Sequence, residues 1–268
     1  MGLEFCSFGS GSSGKCYLIR TDDTVLLLDV GLTGKAILAG LDTLGLDACD
    51  VNGILLTHEH VDHVRSVRML GRKAENATVY GTLGTLNNFP DKLPAGRTEP
   101  VKRHDKFTVG DIDITVFPVS HDASDPVAYT FESEGVKLSV MTDTGYVNQI
   151  MYDNICDSDA LVIEANHEVE LLKSGPYPYP LKQRILGLEG HLSNETCGGL
   201  LSDIISGSKG VKMPFIMLGH LSAENNTPKI AIRTVTNILF EHEHYVERDC
   251  ELVVAPRSEP SGLIKVVR

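Results

Sequence analysis

The chain has 268 residues, of which 42% are hydrophobic and 22% charged, and this balance argues against a disordered chain. No apolar run approaches the ~20 residues that a transmembrane helix needs, and the first residues lack the pattern of a secretory signal, so we expect a cytoplasmic protein with no membrane partner. The formal net charge of −12 argues against a protein that binds nucleic acid on a broad basic face.

Apolar periodicity and turn residues predict strands and helices along the whole chain. In chain order they are a hairpin of strands at 15–20 and 24–29, a helix at about 33–44, a strand at 53–57, a helix from Asp62 to about Arg72, strands at about 77–81, 111–118, 127–132 and 136–141, a strand at 159–164, a Pro/Tyr-rich loop at 174–180, a helix at 194–206, a strand at 213–218, a helix at 225–240, and strands near 251–254 and 263–267.

Meandering strands combined with β-then-α units predict an α/β fold in which two mixed sheets pack face to face with helices outside, an αββα sandwich. Because no linker or low-complexity stretch divides the chain, we expect residues 1–268 to form a single domain. The pattern Gly-His-Leu-Ser-x-Glu occurs twice, at 190–195 and 219–224. Serine favours the N-cap position, so Ser193 and Ser222 are each predicted to cap a following helix.

The strongest chemical signal is the run from His58 to His63, directly after an apolar strand. It places three imidazoles and a carboxylate (His58, His60, Asp62 and His63) within six residues, and such groups are rarely buried without partners. They are the ligands that Zn²⁺, Mn²⁺ or Fe²⁺ bind. His58 and His60 share one face of an extended segment, whereas a helical turn at Asp62 points the later pair elsewhere, so the run can serve two adjacent metals.

His-x-His-x-Asp-His after a strand resembles the signature of the metallo-β-lactamase superfamily, and the resemblance continues in order along the chain. It implies the metallo-β-lactamase-like αββα sandwich and two divalent metal ions. It also implies that Asp29, in Leu-Leu-Leu-Asp-Val-Gly, supports the site from behind the ligands. The implied ligands are His58, His60 and His121 for one metal, Asp62, His63 and His220 for the other, and Asp143 as the bridge, with Asp62 also counted as catalytic.

Glu164 and His191 resemble a catalytic pair of ribonuclease Z, in which a histidine kept basic by a carboxylate protonates the leaving alkoxide of a phosphodiester. The resemblance therefore implies hydrolysis in which a hydroxide held by two metals attacks phosphorus and His191 protonates the departing oxygen. The alternative is that Glu164 only ends a strand and His191 only precedes a helix.

The Gly/Ser run at 9–14, the segment 181–185 and both Gly-His-Leu-Ser motifs are similar to the YycJ/WalJ branch of the superfamily. That resemblance implies a 5′–3′ exodeoxyribonuclease-like enzyme with nucleic acid, DNA first, as substrate. Phosphates and bases are then expected to contact four residues: Ser12, Ser13, Lys182 and Arg184. The alternative for Ser12 and Ser13 is a flexible turn with no substrate contact, and the alternative for Lys182 and Arg184 is an ordered loop.

Other functions stay open on the sequence alone. A thioester or lactone hydrolase of the glyoxalase II kind uses a nearly identical ligand set, and a ribonuclease or a non-catalytic metal-binding scaffold also fits. The interval between Asp143 and His191 is too short for the β-CASP domain of ribonuclease J. The residues allow Zn²⁺ or Mn²⁺, with Fe²⁺ also possible, and they do not predict an oligomeric state.

Overall fold

The computed structural model describes residues 2–89, 93–207 and 214–268. Within them the strands form two sheets of seven. The first sheet consists, in spatial order, of β14 (Ile264–Lys265), β1 (Glu4–Gly9), β2 (Cys16–Arg20), β3 (Val25–Leu28), β4 (Gly53–Leu55), β5 (Thr78–Thr82) and β6 (Thr98–Val101). Its strands are antiparallel from β14 to β3 and parallel from β3 to β6.

The second sheet repeats this mixed arrangement. Its order is β13 (Glu251–Val254), β12 (Phe215–Gly219), β11 (Ala160–Glu164), β10 (Val136–Met141), β9 (Val127–Ser133), β8 (Ile112–Pro118) and β7 (Lys106–Val109). Strands β13 to β10 run parallel, and β10 to β7 run antiparallel. Each sheet therefore carries a parallel half, whose strands all end at one edge.

Helices cover the outer faces of both sheets. The helices in chain order are α1 (Gly34–Thr43), α2 (Val61–Val64), α3 (Val67–Lys73), α4 (Leu83–Leu86), α5 (Gln149–Ile155), α6 (Val169–Ser174), α7 (Tyr179–Leu186), α8 (Asn194–Gly207) and α9 (Pro228–Glu241). Apolar residues of α1 and α3 share a buried cluster with the first sheet, and those of α5, α8 and α9 share one with the second. A third cluster fills the space between the sheets, so the predicted αββα sandwich is confirmed.

Several elements differ from the prediction in ways that tertiary packing explains. Strands β1, β6 and β7 were missed, and the last two border the open edge of each sheet, where polar residues weaken the apolar pattern. The predicted loop at 174–180 runs into a helix, because Pro180 stands in the first turn of α7, where its missing N–H costs nothing. Residue 213, where one predicted strand begins, lies outside the described residues.

The two Gly-His-Leu-Ser segments take different local structures. Ser193 Oγ accepts a hydrogen bond from the Thr196 N–H at 3.1 Å at the start of α8, as predicted. Ser222 Oγ accepts from the Asn225 N–H at 3.2 Å inside a turn, and α9 begins only at Pro228. The prediction of a second serine cap was therefore wrong, since Thr227 caps that helix instead.

In the described part of the chain, no helix combines the length and apolar content that crossing a membrane requires. Several residues of the predicted site follow the carboxyl ends of parallel strands. Strand β3 leads into Asp29, β10 into Asp143 and β12 into His220. Ligand sites in open α/β sheets form at such carboxyl ends, so the fold brings the candidate ligands to one place.

Candidate metal centre

Three residues of the predicted site, two aspartates and a histidine, follow the ends of strands and have a left-handed backbone conformation. The φ angles are 57° at Asp29, 60° at Asp143 and 52° at His220. Each such residue costs roughly 1–2 kcal/mol for a side chain other than glycine. Conformations of this kind persist where the surrounding structure holds them, and they gather at functional sites. These three residues lie at the edge where the site is built.

His58, His60 and His121 form a cluster that suits a divalent ion. Each can supply one ring nitrogen, and these atoms lie within 4.8 Å of one another, with His58 Nε2 3.1 Å from His60 Nδ1. His121 Nδ1 faces the carbonyl oxygens of Glu189 and Gly190 at 3.2 and 3.3 Å. Because a carbonyl oxygen only accepts, this nitrogen carries the proton and Nε2 is left for a ligand.

The protonation of this cluster also favours a cation. Burial, with His63 as a further cause, holds the pKa of His58 well below its usual value, and burial lowers the pKa of His121. Neutral imidazoles present lone pairs to a metal, whereas protonated ones repel it. With two of its three imidazoles held neutral in this way, the cluster is a donor set that fits one divalent ion.

Asp29 lies behind His63 rather than in the histidine cluster. Its Oδ2 accepts from His63 Nδ1 at 2.7 Å, and its Oδ1 accepts from the Thr57 N–H at 2.9 Å. The Thr57 hydroxyl lies 3.0 Å from Nδ1 of both His58 and His63. These bonds fix the proton of His63 on Nδ1 and turn its Nε2 toward the interior of the site. No feature of the sequence singled out Thr57.

Lys15 was not among the residues predicted for the site, yet its ammonium lies at the centre of it. The side chain is 0% exposed, and its Nζ donates to Asp143 Oδ2 at 2.7 Å and to Oδ1 at 2.9 Å. Nζ also lies 2.7 Å from His63 Nε2 and 3.4 Å from Asp62 Oδ2. Burial and Lys15 lower the pKa of His63, but Asp29 and Asp143 outweigh them and raise it to about 9. Because an ammonium has no lone pair, Nε2 is the acceptor in its contact with Lys15. Burial alone would lower the pKa of Lys15, but Asp143 and Asp62 outweigh it and raise the pKa above the usual value.

The four residues expected to hold a second metal are therefore divided, and two of them, Asp143 and His220, belong with Glu164 and His191 to a further cluster whose ligand atoms lie within 4.8 Å of one another. Asp62, His63 and Asp143 all face Lys15 Nζ. His220 is turned to the other side of Asp143, where its Nδ1 lies 3.1 Å from Asp143 Oδ1 and 2.6 Å from Glu164 Oε1. The sequence could have raised Lys15 only as a charged residue opening an apolar strand, a position that is more often exposed.

Glu164 is a completely buried carboxylate with four donors around it. Its Oε1 accepts from Nδ1 of His191 at 2.9 Å and of His220 at 2.6 Å. Its Oε2 accepts from the N–H groups of Thr144 at 3.1 Å and Leu192 at 3.2 Å. The carboxylate thus fixes the orientation of two imidazoles at once, one of which belongs to the predicted metal set.

The charge of Glu164 changes the proton affinity of His191. Burial would lower the pKa of His191, but the adjacent carboxylate outweighs it, so the pKa is raised. Burial likewise opposes ionisation of Glu164, and the two imidazoles still hold the pKa of that carboxyl far below its usual value. His191 keeps 13% of its side chain exposed, which leaves a route from its ring to solvent. A histidine in this state can donate a proton to a group bound beside it.

A cleft of about 170 Å³ opens beside this pair, and Ser12, Tyr177, Arg184, His191 and His220 are among the residues that line it. Two of the four predicted substrate residues, Ser12 and Arg184, thus share a cleft with the histidines. The Arg184 guanidinium binds both carboxylate oxygens of Asp122, with Nη2 2.9 Å from Oδ1.

The other two predicted substrate residues are placed differently. Ser13 is exposed in the Gly/Ser loop next to Ser12 and is not in the lining of the cleft. Lys182 Nζ donates to the Lys173 carbonyl at 2.7 Å and is likewise outside that lining. A role for these two side chains in substrate binding stays a prediction.

The chain is similar in sequence to one protein family and to several named proteins. A model of the β-lactamase superfamily domain matches residues 27–204. Exodeoxyribonuclease YycJ of Bacillus anthracis is 38% identical over 244 residues, 90% of either chain. Exodeoxyribonuclease WalJ of Streptococcus pneumoniae is 38% identical over 246 residues, again 90% of either chain.

Among solved structures, the metallo-β-lactamase fold protein YhfI from Bacillus subtilis superposes with a TM-score of 0.72. It is 15% identical, and the match covers 97% of this chain and 99% of YhfI. At that identity the likeness concerns the fold alone.

Proposed function

Because the chain belongs to the β-lactamase superfamily and has the metallo-β-lactamase fold, we propose that it is a metal-dependent exodeoxyribonuclease. The predicted resemblance to the YycJ/WalJ branch is confirmed by the 38% identity to both named relatives. That identity extends over nine-tenths of each chain, which also supports treating residues 1–268 as one domain. With DNA as substrate, the proposed compartment is the cytoplasm.

The observation that carries the proposal is the Glu164–His191 pair beside the three-histidine cluster. His191 Nδ1 lies 2.9 Å from Glu164 Oε1, so Nε2 is the ring nitrogen available to the cleft. Phosphodiester hydrolysis expels a poor leaving group, and protonating that sugar oxygen accelerates the step. We assign His191 this proton transfer and assign Glu164 the orientation of its ring.

In this proposal His58, His60 and His121 hold a divalent ion, Zn²⁺ or Mn²⁺, with Fe²⁺ also compatible with the ligand set. When bound, such an ion lowers the pKa of a coordinated water and offsets negative charge on a phosphoryl oxygen. Lys15 adds a positive charge to the same interior, and Arg184 adds one at the cleft, although Asp122 pairs with it. Local positive charge of this kind lets a chain of net charge −12 accept a phosphodiester.

The test is digestion of end-labelled DNA by metal-loaded protein. We expect mononucleotides to be released from linear DNA, with the 5′ label released first, and closed circular DNA to stay intact. Parallel reactions contain RNA of the same sequence, bis-p-nitrophenyl phosphate and a glutathione thioester. His191→Ala should lose turnover while keeping its metal, and His242→Ala, which changes an exposed histidine after α9, serves as the matched control.

Each contrary result has a distinct meaning. Hydrolysis of the thioester alone would overturn the proposal in favour of the glyoxalase II kind of activity. Preference for RNA would make the enzyme a ribonuclease. Full activity in His191→Ala would refute the role of that residue, and silence on every substrate would favour a metal-binding scaffold.

A further inference from the structure

We propose that the Lys15 ammonium takes the place of a second metal ion, so that the centre holds one divalent cation, at the three-histidine cluster, beside a positive charge built into the chain. This inference rests on the proposed metal centre and not on the choice of substrate. It departs from the two ions that the family resemblance implies.

The first argument is the set of contacts that Nζ makes. An ammonium has three hydrogens to donate, and here both oxygens of Asp143 and Nε2 of His63 lie at 2.7 to 2.9 Å, with Asp62 Oδ2 at 3.4 Å. These are three of the four residues expected to bind the second ion together. The His63 nitrogen and both Asp143 oxygens that would face an ion therefore already face a donor.

The second argument is distance. A divalent ion of this class binds nitrogen and oxygen ligands at about 2.0–2.2 Å. An ion bound to both Asp143 and His63 would compete for space with Nζ, which is itself 2.7 Å from an atom of each. Two cations cannot share that volume, because steric overlap and charge repulsion both oppose it.

The third argument is that Lys15 is fixed in place by its backbone. Its N–H donates to the Asp62 carbonyl at 2.9 Å, and its carbonyl accepts from the Gly31 N–H at 2.8 Å. The preceding residue, Gly14, packs so closely that a Cβ there would lie 2.5 Å from the Gly31 carbonyl oxygen. These contacts fix the point from which the side chain leaves the backbone, and its burial at 0% exposure encloses it within the site.

The fourth argument is charge balance. Asp143 is 3% exposed, and a buried carboxylate without a cation is strongly destabilising. Lys15 supplies that cation, and His220, which the resemblance assigns to the second ion, instead contacts Asp143 and Glu164. Replacing the lysine by a small neutral side chain would remove this charge and leave an open volume between Asp62, His63 and Asp143.

The experiment counts metal ions per chain. Wild-type protein, Lys15→Asn and Lys102→Asn are stripped with chelator, reloaded with excess Mn²⁺, passed over a desalting column and measured by elemental analysis. We expect one ion per chain in the wild type, two in Lys15→Asn and one in Lys102→Asn, which changes an exposed lysine. Electron paramagnetic resonance should show an isolated Mn²⁺ in the wild type and a coupled pair in Lys15→Asn.

A second variant keeps the test decisive if Lys15→Asn does not fold. His60→Ala removes one ligand of the three-histidine cluster, and we expect its bound metal to fall from one ion to none. Two ions in the wild type, one ion left in His60→Ala, or one ion in folded Lys15→Asn would each overturn the inference. No ion in the wild type would overturn the proposed metal centre as well, and is thereby distinguished from these results.

Discussion

Glu164→Gln changes one atom of a completely buried carboxylate that accepts four hydrogen bonds. The two carboxylate oxygens face two different pairs of donors, one of imidazoles and one of backbone N–H groups. Backbone N–H groups cannot change roles, so the glutamine oxygen is expected to face them and its NH₂ to face His191 and His220. Both rings then have to present a lone pair at Nδ1 and move their proton to Nε2.

The magnitude follows from the bond that is lost. A hydrogen bond to a charged group contributes about 1.5–3 kcal/mol, and this is the stabilisation that protonated His191 loses in Glu164→Gln. Converted at about 1.4 kcal/mol per factor of ten, the loss predicts a turnover about 10- to 100-fold below wild type at neutral pH. The carboxylate raises the pKa of His191, so its removal lowers that pKa. An acid catalyst is lost as the pH rises through its pKa, and the alkaline limb of the rate profile should therefore move to lower pH.

The assay is the pH dependence of DNA digestion by metal-loaded wild type, Glu164→Gln, His191→Ala and the double variant, with metal content measured for each. If Glu164 acts through His191, the glutamine substitution should have little further effect once His191 is alanine. An unshifted alkaline limb with undiminished turnover would refute the reasoning. An equal loss in the His191→Ala background would show that Glu164 acts through His220 instead.

Three further predictions concern the ligands and their supports. Burial keeps the pKa of His58 well below its usual 6.5, so protons should displace the bound ion only below pH 6.5. Acid titration in the presence of a metal indicator checks this. Complete release of the ion by pH 7 would contradict it. Asp29→Ala removes the carboxylate that accepts from His63 Nδ1 and from the Thr57 N–H, and each lost hydrogen bond is expected to cost about 1–3 kcal/mol. Asp29→Asn keeps one acceptor, so denaturant unfolding should rank wild type above asparagine above alanine. Equal stability of the two variants would oppose the argument. Gly31→Ala would put a Cβ 1.5 Å from the Asp62 carbonyl oxygen, so thermal unfolding should show a large loss of stability compared with Gly199→Ala, where a Cβ meets no atom within 4 Å.

The sequence by itself determined the class of fold and the ligands that are close together in the chain. Period-two apolar runs predicted most strands, since alternation is set by the pleat of the strand itself. The run from His58 to His63 predicted a metal site, because its spacing and the strand before it are also local features of the chain. His121, Asp143 and His220 came from their order in the family resemblance, and each does lie where a strand ends.

The tertiary structure decided which distant groups touch. Lys15 lies 48 residues from His63 and 128 from Asp143 in the chain, so no local periodicity links them. The sequence also does not distinguish a buried lysine from an exposed one. The sharing of Glu164 between His191 and His220 likewise depends on how β11, β12 and the loop before α8 meet. Local patterns specify strands and turns, but the order of strands in two sheets sets the distances between their ends, and those distances decide whether a cation site is filled by an ion or by the chain.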